Sequence, residues 1–156
     1  MAITPRVRNP VILLVEDNPD DEELTRRAFQ QSNVGTELVV ARDGAAALDF
    51  LLPDNPPTGT EPKALPALVL LDLNLPKVSG LDVLRRMRAE PRTKLLPIVV
   101  LTSSKAEQDI VNSYGLGANS YVRKPVDFDE FAEAVRQLGV YWLALNEPPP
   151  TVSEVG

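Results

Sequence analysis

Short apolar runs alternate along the chain with longer, more polar segments. The first run, Val11–Val15, is continuously apolar and rich in β-branched residues, and it ends at Glu16-Asp17. Such runs are typical of strands buried on both faces of a parallel sheet. Four later segments of strand length complete the set that the pattern predicts: Glu37–Ala41, 67–71, 98–101 and Ser120–Arg123.

A helix-starting signal follows each predicted strand. After the first strand, Asn18 stands as a cap before Pro19, and Asp20 and Asp21 lie in the first turn. The second predicted helix runs to about Leu52, and the last runs to about residue 145. The other predicted helix starts are Asp43, Ser79 with Asp82, Ser104 with Glu107, and Asp127 with Glu130.

Five strand–helix pairs predict an α/β fold: a doubly wound, five-stranded parallel sheet with five helices on its two faces. The predicted domain spans residues 11–145. Residues 1–10 form an N-terminal tail, and residues 146–156 form a C-terminal tail that we expect to be disordered. Residues 53–66 carry five prolines. They join the second helix to the third strand, so we expect a surface insertion at the end of the sheet opposite any strand-end site.

Ligands of such sheets bind beyond the carboxyl ends of the strands. The strands are almost wholly apolar, yet acids, a hydroxyl and an amine follow them. Any one of these side chains alone is better explained as a helix cap or a water-facing group. Their coincidence at one edge predicts a site made of these residues: Glu16, Asp17, Asp72, Thr102 and Lys124.

The chemistry of this group favours phosphoryl transfer onto Asp72. Carboxylates at short range repel one another unless a cation lies between them, and Mg²⁺ prefers oxygen ligands. An acid that merely caps the next helix is an alternative, open above all for Glu16. A carboxylate can attack phosphorus, and Lys124 and Thr102 can neutralise the phosphoryl oxygens. A cis bond before Pro125 would aim Lys124 at the site, although a plain surface turn explains Lys124-Pro125 better when that pair is taken alone.

The amino-acid composition excludes several further classes of function. The chain has no Cys and no His, so it lacks thiolate chemistry and cannot donate phosphate from a histidine; in phosphotransfer it must be the acceptor. Sixteen basic residues against 22 acidic ones give a net charge of −6, which argues against binding duplex DNA. The early apolar run is too short for a signal peptide or membrane span, so we expect a cytoplasmic protein without membrane contact.

These residues resemble the receiver domain of two-component response regulators over about residues 10–145. Five separated motifs carry the resemblance, in the right order and at the right strand ends. They are Glu16-Asp17, Leu71-Asp72-Leu73-Asn74-Leu75-Pro76 with Gly80, Leu101-Thr102-Ser103, Gly117-Ala118-Asn119-Ser120-Tyr121, and Lys124-Pro125.

The resemblance implies a flavodoxin-like strand order of 2-1-3-4-5. It also implies Mg²⁺, for which Mn²⁺ can substitute, and a protein that catalyses only its own phosphorylation and dephosphorylation. The family often has Asp where this chain has Glu16. The implied roles are: Asp72 as phosphoacceptor, Asp17 as direct metal ligand, Glu16 as metal ligand through water, Asn74 as metal ligand through its backbone carbonyl, Thr102 and Lys124 as phosphate contacts, and Thr102 with Tyr121 as the switch pair.

A narrower resemblance links the chain to stand-alone regulators associated with bacterial phytochromes. It rests on the long loop before the third strand, on residues 113–121, and on Val140-Tyr141-Trp142-Leu143. It implies a sensor histidine kinase, in particular a bacterial phytochrome, as the phosphodonor.

Three other interpretations remain open. A phosphatase of the haloacid dehalogenase type uses a nucleophilic Asp, but it needs a second Asp two residues on, where this chain has Asn74. A flavodoxin-like cofactor binder needs a phosphate-binding loop after the first strand, where residues 16–21 are strongly anionic. A degenerate receiver would lack the acceptor or its partners, yet Asp72, Thr102 and Lys124 are all present.

The last helix predicts an interface. Its apolar stripe should face the sheet and comprises Phe128, Phe131, Val135, Leu138, Trp142 and Leu145. Four further apolar residues of this helix lie outside the stripe that should face the sheet: Val140, Tyr141, Leu143 and Ala144. We expect a homodimer through the fourth helix, fifth strand and fifth helix, with Tyr114 and Tyr121 on the same face and phosphorylation remodelling it. A covering tail or neighbouring helix is the alternative. Since the chain ends soon after this helix, we expect output through protein contacts rather than through nucleic acid.

Overall fold

The strands of this protein form one parallel sheet in the order β2-β1-β3-β4-β5. The structure is a computed structural model that describes residues 10–31, 35–53 and 65–149. The predicted fold class and the strand order implied by the resemblance are confirmed. The strands are β1 (Val11–Val15), β2 (Glu37–Ala41), β3 (Leu68–Leu71), β4 (Ile98–Thr102) and β5 (Ser120–Arg123).

A helix follows each strand, and the predicted start is confirmed for four of the five. Asn18, Asp43, Ser79 and Asp127 each accept a hydrogen bond from a backbone N–H of the first turn, at 2.7–3.2 Å. Such caps satisfy donors that an isolated helix leaves unpaired. The helices are α1 (Pro19–Gln31), α2 (Gly44–Leu51), α3 (Gly80–Ala89), α4 (Glu107–Gly115) and α5 (Phe128–Val140).

The predicted start of α4 at Ser104 is wrong. The cap position belongs to Ala106, which offers no side-chain hydrogen bond. The Ser104 hydroxyl instead donates to Asp109 Oδ2 at 2.6 Å and accepts from the Ala106 N–H at 3.3 Å. A serine followed three residues later by Glu107 satisfies the capping pattern, but the chain takes two more residues to enter the helix.

Apolar side chains cover both faces of the sheet. On one face α1 and α5 pack against β1, β3 and β4 around Phe29, Phe131 and Val135. On the other face α2 and α3 pack around Leu51, Val83 and Met87, among others. Alternate residues of each buried strand enter the two clusters, as the period of a strand requires. The carboxyl ends of the strands remain as one edge at which polar groups can meet.

Gly80 brings the start of α3 against the end of β3. A Cβ atom at this position would lie 2.2 Å from the backbone oxygen of Asp72. Only glycine permits this approach. The first turn of α3 therefore helps to fix the backbone that carries Asp72.

The predicted stripe of α5 is partly wrong at both ends. Phe128 and Leu145 are 69% and 62% exposed, whereas Leu143, which was predicted to lie outside the core-facing stripe, is fully buried. The helix ends in a π-helical turn at Tyr141–Leu145, closed by the Asn146 N–H donating to the Tyr141 oxygen. A π turn rotates the side chains that follow relative to an α-helix. This change of period turns Leu143 toward the core.

Residues 1–9, 32–34, 54–64 and 150–156 lie outside the described residues. The predictions for the two tails and for most of the proline-rich segment therefore stay predictions. Within the described ranges, none of the helices combines the length and apolar character that spanning a membrane requires.

Candidate functional site

The polar residues predicted at the strand ends meet at one edge of the sheet. Val15 pairs with Leu71 across β1 and β3, so Glu16 and Asp72, which follow them, are neighbours. Glu16 is 3% exposed and Asp72 is 6% exposed, although both are acids. Acidic side chains are almost never this buried without partners. Their burial therefore points to compensating groups around them.

Lys124 supplies that compensation. Its Nζ donates to Asp72 Oδ2 and to Asp21 Oδ2, both at 2.9 Å, and also to Glu16 Oε1. The Lys124 side chain is only 8% exposed. The described residues contain no cis peptide bond, so the suggested cis bond before Pro125 is not found. Lys124 reaches the cluster from a trans peptide at the end of β5.

Both oxygens of Asp72 have hydrogen-bond partners. The Thr102 hydroxyl donates to Oδ1 at 2.8 Å, and the Asn74 backbone N–H donates to the same oxygen at 3.2 Å. Lys124 binds the other oxygen. Thr102 is fully buried at the end of β4. The carboxylate is thus held in one orientation by groups from β4, from the residue that follows β5 and from its own loop.

The two buried acids of the cluster, Glu16 and Asp72, have pKa values shifted in opposite directions. Burial raises the pKa of Glu16 to about 7, opposed by the Lys124 ammonium. Burial also acts to raise the pKa of Asp72, but Lys124, with hydrogen bonds from Glu16 and Thr102, outweighs it and holds that pKa below its usual value. The pKa of Lys124 is raised, because three carboxylates outweigh the effect of burial. Asp72 is therefore an anion at neutral pH, as a nucleophile must be, beside a fully charged ammonium.

Three acids are arranged as oxygen ligands for a metal ion. One carboxylate oxygen each from Glu16, Asp17 and Asp72 lie within 4.8 Å of one another. Asp17 is exposed, and the other two are buried. A set of hard, anionic oxygen donors fits a divalent cation such as Mg²⁺ or Mn²⁺.

A second line of contacts leads away from Asp72 toward α4. The Ser104 N–H approaches the Thr102 hydroxyl at 3.4 Å, and the Ser104 carbonyl accepts the phenol of Tyr121 at 3.0 Å. The Ser104 hydroxyl binds Asp109 in the first turn of α4. Ser104 therefore connects the site to β5 and to α4 through three different atoms.

Sequence reasoning missed two residues of this site. The sequence pattern places Asp21 in the first turn of a helix and Ser104 at a helix cap, and neither pattern indicates a contact with the site. A signal existed for Asp21, since four acids crowd residues 16–21 next to the predicted metal site. No local pattern distinguishes the role of Ser104 from that of a cap.

The model of the response regulator receiver domain family matches residues 12–136. The chain belongs to this family. Membership of this family excludes two of the alternative interpretations of the sequence, the haloacid dehalogenase-type phosphatase and the flavodoxin-like cofactor binder.

The relatives include regulators of the kind suggested by the sequence. Response regulator Rcp1 of Synechocystis sp. (strain ATCC 27184 / PCC 6803 / Kazusa) is 39% identical over 133 residues, which cover 85% of this chain and 88% of Rcp1. The crystal structure of its Mn(2+)-bound form has a TM-score of 0.82 at 37% identity, covering 90% of this chain and 99% of that one.

Two further solved structures are similar. The phosphorylated cyanobacterial phytochrome response regulator RcpA has a TM-score of 0.84 at 36% identity, covering 92% of this chain and all of that one (100%). The bacteriophytochrome response regulator AtBRR is 49% identical with a TM-score of 0.68, covering 90% of this chain and 100% of that one. The match extends over almost the whole length of these proteins.

Proposed function

We propose that this receiver accepts a phosphoryl group on Asp72 from a sensor histidine kinase and signals by changing the face formed by α4, β5 and α5. One observation carries the proposal. A buried carboxylate whose pKa is held below its usual value lies between the Thr102 hydroxyl at 2.8 Å and the Lys124 ammonium at 2.9 Å. That arrangement suits a nucleophile whose product is a polyanion.

Each residue of the cluster has a different role in the phosphoryl transfer. An Asp72 oxygen attacks phosphorus, the bond from phosphorus to the donor imidazole breaks, and the bonding electron pair leaves with that imidazole. Lys124 and Thr102 each bind one phosphoryl oxygen. Asp72 is already ionised, so no base is needed. A divalent cation would be held by Asp17, Asp72 and the Asn74 carbonyl, and through water by Glu16, and it would supply further positive charge to the phosphoryl oxygens.

The output step follows from contacts that phosphorylation must change. A phosphoryl group on Asp72 offers the Thr102 hydroxyl a new acceptor. Movement of Thr102 shifts Ser104, whose carbonyl holds the Tyr121 phenol and whose hydroxyl holds Asp109. Tyr121 then acts as the switch residue, and α4 changes position.

We further propose a bacterial phytochrome as the kinase that phosphorylates this chain. The similarity to AtBRR and RcpA, both described as phytochrome response regulators, supports this choice. The test is phosphotransfer from an autophosphorylated bacterial phytochrome kinase with Mg²⁺, using the Asp72→Asn variant as control. Rapid transfer to the wild type alone is expected. Transfer no faster than from an unrelated histidine kinase would contradict the choice of donor.

A homodimer is the proposed assembly. Val111 and Tyr114 on α4 and Tyr141 after α5 are each at least half exposed, and β5 is an edge strand of the sheet. Apolar surface of this kind often marks an interface, and two-fold contacts are the commonest for small proteins. Leu143 is buried, so a charge placed there would disturb the core rather than an interface. The variant that tests the interface is therefore Tyr114→Asp with Tyr141→Asp.

Light scattering at tens of micromolar, with and without phosphodonor, tests the dimer. The wild type should be dimeric in at least one condition, and the double variant should be monomeric in both. Leu95→Asp is the matched control, since Leu95 is 65% exposed in the loop before β4. A monomeric wild type in both conditions would contradict the proposal.

A further inference from the structure

Among the described residues, Asp21 is the one acceptor of the Lys124 ammonium that does not directly follow a strand. It lies in the first turn of α1, and its Oδ2 accepts from Lys124 Nζ at 2.9 Å. Its side chain is 25% exposed, so it reaches the buried ammonium from the outer side of the cluster. The remaining acceptors of Lys124 are Glu16 and Asp72.

Those remaining acceptors are also members of the candidate metal cluster, and Asp21 is not. An ammonium and a divalent cation repel each other at short range and compete for the same carboxylates. A cation bound by Asp72 and, through water, by Glu16 would therefore weaken two of the three described bonds that place Lys124. The bond to Asp21 is not shared with that cation.

We infer that Asp21 is a positioning residue for phosphoryl transfer: it holds the Lys124 ammonium at the site while metal and phosphoryl group engage the other carboxylates. The inference deepens the proposed function and rests on it. Asp21 acts through Lys124 and does not touch the phosphoryl group. Without Asp21, Lys124 would retain its charge but lose its fixed place.

The backbone of Asp21 is fixed independently of its carboxylate. Its N–H donates to Asn18 Oδ1 at 3.2 Å, and its carbonyl accepts from the Thr25 hydroxyl at 2.7 Å. Substitution of the side chain leaves both bonds in place. Asp20 offers a matched control, because it lies in the same helical turn, carries the same charge, is exposed, and is not among the described acceptors of Lys124.

The test measures labelling by acetyl phosphate across a range of Mg²⁺ concentrations. It compares the wild type with Asp21→Ala, Asp21→Asn and Asp20→Ala. At saturating Mg²⁺, Asp21→Ala should be slower by about tenfold, the effect of losing a hydrogen bond between charged groups. Asp21→Asn keeps an oxygen acceptor and should recover most of the rate. Asp20→Ala should stay within about twofold of the wild type, because exposed charges contribute little.

The outcomes separate this inference from the proposed function. A wild type that is not labelled would refute the proposed function itself. A labelled wild type with Asp21→Ala as fast as Asp20→Ala would overturn the role of Asp21 alone, as would an Asp21→Asn variant no faster than Asp21→Ala. Thermal unfolding confirms that each variant is folded, and Asp21→Ser provides a second variant without the contact should Asp21→Ala fail to fold.

Discussion

The two helices beside the edge strand β5 are attached to the protein in different ways. In α5, Asp127 caps the first turn, and Phe131 and Val135 are at most 2% exposed in the apolar core. In α4, the cap position has no side-chain hydrogen bond, and only Ser113 of its nine residues is buried. The Ser113 hydroxyl is buried without a hydrogen-bond partner among the described residues.

The two helices therefore differ in how easily they can move. Burial of large apolar side chains stabilises α5, and moving it would expose them. In contrast, α4 buries little apolar surface and leaves a polar group unsatisfied, so a small free energy can shift it. The hydrogen bond from Ser104 to Asp109 ties this loosely held helix to the site. The helix joined to the site is thus the one of the two that costs less free energy to move.

The largest expected effect is a loss of stability from truncation in α5. Phe131→Ala should lower the free energy of unfolding by about 3–5 kcal/mol, because it leaves a cavity in the core. Val111→Ala in α4 removes a side chain that is 63% exposed and should change it by less than about 0.5 kcal/mol. Urea denaturation measures both. Similar losses for the two variants would remove the distinction between the helices.

Amide hydrogen exchange should show the same contrast without mutation. We expect amides of α4 to be protected about a hundredfold less than those of α5, since local opening of α4 exposes little apolar surface. Phosphorylation should change exchange in α4 more than in α5. Equal protection of the two helices in the unphosphorylated protein would count against a loosely held α4.

Replacing the unsatisfied hydroxyl should stabilise the protein. Ser113→Ala removes a buried polar group without a partner and should raise the free energy of unfolding by about 1–2 kcal/mol. Thr93→Val is the matched control, because the buried Thr93 hydroxyl donates to the Met87 carbonyl at 2.6 Å. That variant should lose stability by about 1 kcal/mol. A destabilised Ser113→Ala would mean that the hydroxyl contributes to holding α4.

The smallest effect is a pH dependence on the surface of α5. Hydrogen bonds from Arg136 and then Gln137 lower the pKa of Glu133 from 4.5 to about 2. A lowered pKa in the folded state stabilises the protein above the unfolded value and loses that contribution as the pH falls. The stability difference between wild type and Glu133→Gln should therefore be largest above about pH 5 and shrink toward pH 2. A difference that is constant over this range would contradict the pairing.

The sequence predicted those features that depend on neighbouring residues. The strand ends, and caps such as Asp43 and Ser79, follow from apolar runs and from bonds that span three residues. It did not predict the contact between Asp21 and Lys124, which lie 103 positions apart and meet only in the folded sheet. The π-helical turn and the true start of α4 were also missed, because packing rather than local pattern decides them.

Intact-mass measurement after treatment with acetyl phosphate and Mg²⁺ shows whether Asp72 accepts a phosphoryl group. We expect one added phosphoryl group on the wild type, none on Asp72→Asn, and none on the wild type when the metal is removed by a chelator. Equal labelling of wild type and Asp72→Asn would contradict phosphorylation at Asp72.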